Sequence, residues 1–60
     1  MTRYEEFLEE LETTTTKDGL EFARAGVLVV WRDFRRLTDD EAERLFKLID
    51  EKLKALEERG

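Results

Sequence analysis

The sequence predicts a small α+β domain of element order α-β-β-β-α, a three-stranded antiparallel meander packed with two helices. Three observations carry this prediction. Both ends of the chain open with a capping box and repeat apolar residues at helical spacing. The middle is rich in β-branched and alternating residues, broken by Lys17-Asp18-Gly19 and Ala25-Gly26. The 60-residue length allows one domain, spanning 1–60.

In the first element, Thr2 and Glu5 form a capping box, and Tyr4, Phe7, Leu8 and Leu11 follow the i, i+3, i+4, i+7 rule. Glu9, Glu10 and Glu12 oppose the helix dipole at its C-terminal end, so the helix should stop near Leu11 or Glu12, or meet a basic neighbour.

Thr13 to Thr16 then reads as a strand entering a hairpin, with Gly19 supplying a positive φ. Leu20 to Arg24 alternates as the return strand. After a second turn at Ala25-Gly26, Val27 to Phe34 gives the strongest β signal of the chain. An alternative, an all-α three-helix bundle, arises because Leu20, Ala23, Val27, Val30, Trp31, Phe34 and Leu37 also fit one helical stripe. The two glycines and the run of valines weigh against it.

The last element is a helix. Thr38 and Glu41 form a second capping box, and Asp39 and Asp40 complement the dipole. Ala42, Leu45, Phe46, Ile49, Leu53 and Leu56 form its apolar stripe, widened by Leu48, and Gly60 ends it. Asp40–Arg44, Glu43–Lys47 and Asp50–Lys54 are acid-first i, i+4 pairs. The expected core contains Phe7, Leu11, Phe22, Val30, Leu45, Ile49 and Leu53. The element order is that of double-stranded-RNA-binding domains, whose last helix opens with a basic cluster. Here Asp39-Asp40-Glu41 stands in that place and would repel phosphate, so the likeness is one of topology alone.

Composition narrows the chemistry. Without Cys or His the chain has no disulfide framework, thiol nucleophile or zinc knuckle, and it lacks the commonest metal ligand. No Gly-rich loop is present to cradle phosphate, and Asp18-Gly19 lacks the repeated acidic spacing of a calcium loop. No catalytic residue, metal ligand or cofactor is expected, and the chain reads as a non-enzyme. The net charge of −5 argues against direct nucleic-acid or anionic-membrane binding. The apolar run Val27 to Trp31 is too short to span a bilayer, and the opening residues do not resemble a secretory signal, which makes the cytoplasm the expected location.

Charge is uneven along the chain: −4 over residues 1–16, +2 over 17–37 and −3 over 38–60. Glu5, Glu6, Glu9 and Glu10 could present an acidic face to a basic protein, and Glu5/Glu9 and Glu6/Glu10 stand one helical turn apart. A solvated face is the simpler account of such a run. Trp31, Arg32, Phe34, Arg35 and Arg36 form the one basic-aromatic cluster, a motif that suits nucleic acid or an acidic protein. The simpler account puts the two aromatics in the core and pairs the arginines with acids of the first helix. Val27, Val29 and Trp31 point to one face of the third strand and Leu28, Val30 and Phe34 to the other, a pattern that calls for burial on both faces. In a three-stranded meander, however, this strand would be an exposed edge. A homodimer through that strand would cover it.

The function expected from these features is a non-enzymatic interaction module, a small acidic protein that presents negative helical surfaces to a basic partner as an inhibitor or nucleic-acid mimic. The alternative is a designed or purely structural mini-protein with no biological partner. Two capping boxes, acid-first charge pairs, Gly-bearing turns and the absence of Cys, His and Pro suit the alternative, whereas the two-faced apolar third strand and the Thr run are less idealised than a design would be.

Overall fold

In the computed structural model of the chain, which describes residues 2–59, three helices follow one another: α1 (Arg3–Thr13), α2 (Lys17–Arg32) and α3 (Asp39–Arg59). No strand is present among the described residues. The α+β meander is therefore overturned, and the three-helix bundle is the fold. The reading of Gly60 as a helix stop lies outside the described residues.

The middle of the chain is helical because its apolar residues meet the other two helices only at a period of 3.6. Leu20, Ala23 and Val27 are buried on one side of α2, with Val30 and Trp31 packed beside them. The β preference of valine and threonine spans only ~1 kcal/mol and depends on having a sheet to join. The amphipathic faces of α1 and α3 leave their apolar stripes uncovered until a third helical stripe closes the bundle. Burial thus outweighs local preference.

The segment expected to be a hairpin turn is instead a helix start. Thr16 caps α2, its hydroxyl accepting from the Gly19 amide at 3.1 Å, while Asp18 stands in the first turn. Gly19 does not have a positive φ. Its lack of a Cβ matters differently, since one there would lie 2.9 Å from Thr14 Cγ2 and from Thr16 Oγ1. Gly26 is no turn either, being mid-helix with its bare face against the Phe7 ring.

Both expected capping boxes form. In α1 the Glu5 amide donates to Thr2 Oγ1 at 3.2 Å, and the Thr2 amide donates to Glu5 Oε1 at 3.2 Å. In α3 the matching distances for Thr38 and Glu41 are 3.1 and 3.0 Å. Between α2 and α3 the chain reverses through Arg35, at φ 53°, while the Arg36 amide donates to the Val30 carbonyl at 3.0 Å. Trp31 Nε1 donates to Asp39 Oδ1 at 2.9 Å, tying the end of α2 to the start of α3.

The core consists of Leu11, Leu20, Ala23, Val27, Leu37, Ala42, Leu45 and Ile49. Of the expected core, Leu11, Leu45 and Ile49 are fully buried, and Phe7, Val30 and Leu53 pack against them. Phe22 is the exception, 77% exposed on the solvent side of α2. The α2–α3 interface is the most extensive in the molecule, so the short α1 acts as a lid on a two-helix hairpin.

Candidate functional site

The acidic face of α1 forms as a row and not as a pocket. Glu5 is engaged in the capping box, and Glu6 pairs with Arg3 at 3.1 Å. Glu9, Glu10 and Glu12 are exposed and make no ion pair among the described residues. No cluster of three acidic side chains that could hold a metal occurs among the described residues.

The positive middle segment does not clamp the two negative helices together as its charge suggested. One ion pair joins two elements among the described residues, Arg24 on α2 to Asp50 on α3 at 3.0 Å, with both side chains more than half exposed. Asp50 thus pairs across the bundle and not with Lys54 along its own helix. The Arg24 guanidinium also sits 5.8 Å from the centroid of the Phe46 ring. At the surface such contacts are each worth ~0–1 kcal/mol.

The residues first assigned to a strand edge separate. Val27 is 0% exposed and belongs to the core, so it cannot contact a partner. Trp31 is half-buried, held by Asp39 and by an edge-on contact with Phe46, with ring centroids 6.1 Å apart at 76°. Of the three, Val29 alone is exposed, at 41%. The backbone groups that would have formed an unpaired edge are spent within α2, so no strand edge is left for a second copy to pair with.

What the structure does bring together is an apolar stripe on the outward face of α2. Phe22, Ala25, Leu28 and Val29 share that face by helical spacing, and all four are exposed. Beside it runs an open groove between α2 and α3, lined by Glu21, Arg24, Ala25, Leu28, Phe46 and Leu53. Asp18 and Glu21 flank the stripe toward its N-terminal end, and Arg32 flanks it at the other. A helix that is apolar on both sides ordinarily lies between two partners. Here α2 has α1 and α3 on one side and water on the other.

The sequence reading missed Phe22, Ala25 and Leu28 as surface residues. The signal was present as a second stripe at 22, 25, 28 and 29, offset from the stripe through Leu20, Ala23 and Val27. Two interleaved helical stripes resemble the uninterrupted apolar pattern of a buried strand, and the valines strengthen that resemblance.

No helix of the described residues is long and apolar enough to cross a membrane. Comparison of the chain with models of protein families, with curated proteins and with solved structures gives no match.

Proposed function

We propose that the chain is a structural mini-domain, a non-enzymatic helical unit of the kind found in idealised or designed miniproteins, whose work is to hold a shape. One observation carries this reading: every buried side chain among the described residues is apolar. Sites that process or select a ligand commonly hold a polar or ionisable group away from water, where its properties are tuned. The local devices support the same reading. Three Thr caps, two of them full boxes, start the three helices, so a local hydrogen-bonding signal marks each helix start. A cytoplasmic location accompanies this proposal.

The test is whether the chain folds without a foreign partner. The purified protein should unfold in one cooperative transition, and a pull-down from lysate should recover no basic protein in stoichiometric amount. A second reading, the acidic module for a basic partner, is favoured by the exposed Glu9, Glu10 and Glu12. Stoichiometric recovery of one basic protein, lost when Glu9 and Glu10 become Gln, would put that reading first.

A further inference from the structure

We propose that the outward face of α2 is a self-association surface, and that its occupant is α2 of a second copy, packed antiparallel with Ala25 at the crossing point. This goes beyond the structural reading and does not depend on it.

The stripe has a symmetry that fits one partner. In an antiparallel pair related by a two-fold axis, positions equidistant from Ala25 oppose one another. Asp18 lies as far before Ala25 as Arg32 lies after it, so each carboxylate would face the guanidinium of the other copy at both ends of the contact. Asp18 and Arg32 are exposed and make no ion pair among the described residues. Phe22 falls on the same flank as Val29 of the second copy, one residue out of register, which lets the ring lie between Val29 and Ala25. Leu28 falls on the other flank, beside the methylenes of the partner's Glu21. Ala25 meets itself, and its small side chain permits the close approach of two helix axes, about 8–10 Å. Antiparallel alignment also sets the two helix dipoles head to tail. A parallel arrangement would instead oppose Asp18 to Asp18 and Arg32 to Arg32.

Area sets the strength. A 16-residue helix presents a face about 24 Å long. Such a face lies below the ~800 Å² per partner of a standard interface. Its centre is apolar, with Phe22, Leu28 and Val29 exposed. The association therefore belongs to the weak, concentration-dependent class and should be visible at high micromolar protein.

The experiment is sedimentation equilibrium of the full chain and four variants, with far-UV circular dichroism of each to verify helicity. The parent should sediment as a monomer–dimer equilibrium. Ala25→Glu, which places two like charges at the crossing, should sediment as a helical monomer. Asp18→Arg and Arg32→Asp should each weaken the dimer by about tenfold or more, equivalent to ~1.4 kcal/mol. The double variant Asp18→Arg/Arg32→Asp should recover it, because the opposed pairs are restored with reversed sign. A parent that stays monomeric at high micromolar concentration overturns the proposal and leaves the face to a different partner. A dimer that survives Ala25→Glu, or a double variant no better than the singles, overturns it too, by moving the contact elsewhere. Should Ala25→Glu lose helicity, the charge-reversal set at exposed positions decides the matter.

Discussion

Helices α2 and α3 each bury three apolar side chains, yet they treat water differently. Along α3 the apolar side chains keep to one stripe, with Ala42, Leu45 and Ile49 buried and the charges turned outward. Along α2 the buried stripe of Leu20, Ala23 and Val27 is matched by an exposed one, and Phe22 stands 77% out in solvent. The difference shows that a helix can satisfy its fold with one face and still have apolar surface left over. On α3 hydrophobicity reports the core; on α2 it reports the core and something more.

The largest test of this contrast truncates one residue from each stripe. Ile49→Ala, in the buried stripe of α3, should cost ~2–5 kcal/mol, most or all of the stability of so small a domain. Phe22→Ala, which removes a larger side chain from the outward face of α2, should change the stability of the monomer by no more than ~0.5 kcal/mol. Chemical denaturation at low protein concentration measures both. Comparable losses in the two variants would mean that Phe22 is buried and that α2 is turned about its axis.

The helix starts come next. Thr38→Ala removes the hydroxyl that accepts from the Glu41 amide and should cost ~1 kcal/mol. Thr16→Ala removes the acceptor for the Gly19 amide and should cost a similar amount if residues 17–32 form a helix. In a hairpin the same change would be nearly silent, so thermal unfolding of the Thr16 variant distinguishes the two folds.

The ends of the chain were legible because their signals agree with one another. Thr2 with Glu5 and Thr38 with Glu41 mark starts, and single apolar stripes follow each. The middle was not legible for a physical reason. Thr13-Thr14-Thr15-Thr16 and Val27-Leu28-Val29-Val30 carry a local β preference, and Gly19 and Gly26 look like punctuation. What overrides them lies far away in sequence, in the stripes of α1 and α3 that need covering. The interaction residues suffered for the same cause: Val27 and Val29 are adjacent in a strand's alternation, but the helix sends the first into the core and leaves the second in water. Of the acidic row, the positions and the engagement of Glu5 in a cap were readable, whereas the pairing of Glu6 with Arg3 emerged only in three dimensions.

Smaller effects refine the account of α2. Arg35→Gly should stabilise the fold by up to ~1 kcal/mol, since Arg35 holds a left-handed backbone conformation that costs an L-residue about that much. Gly26→Ala should stabilise by ~0.5–1 kcal/mol, because a mid-helix glycine is entropically costly. A Cβ there would meet Phe7 at 3.5 Å, an ordinary contact. In a turn requiring a positive φ, the same Gly26→Ala change would destabilise. Asp50→Asn should have the least effect, a few tenths of a kcal/mol that fades with salt, as its pair with Arg24 is exposed.

Residues 17–32 form one helix with apolar residues on both sides, and backbone chemical shifts measured by NMR read this out residue by residue. An unbroken run of helical Cα shifts is expected from Lys17 to Arg32, with Val27 close to the core of α3 and Phe22 showing no long-range contact in the monomer. Extended-chain shifts over Val27 to Phe34, with cross-strand contacts to Leu20 through Arg24, would contradict it and restore the meander.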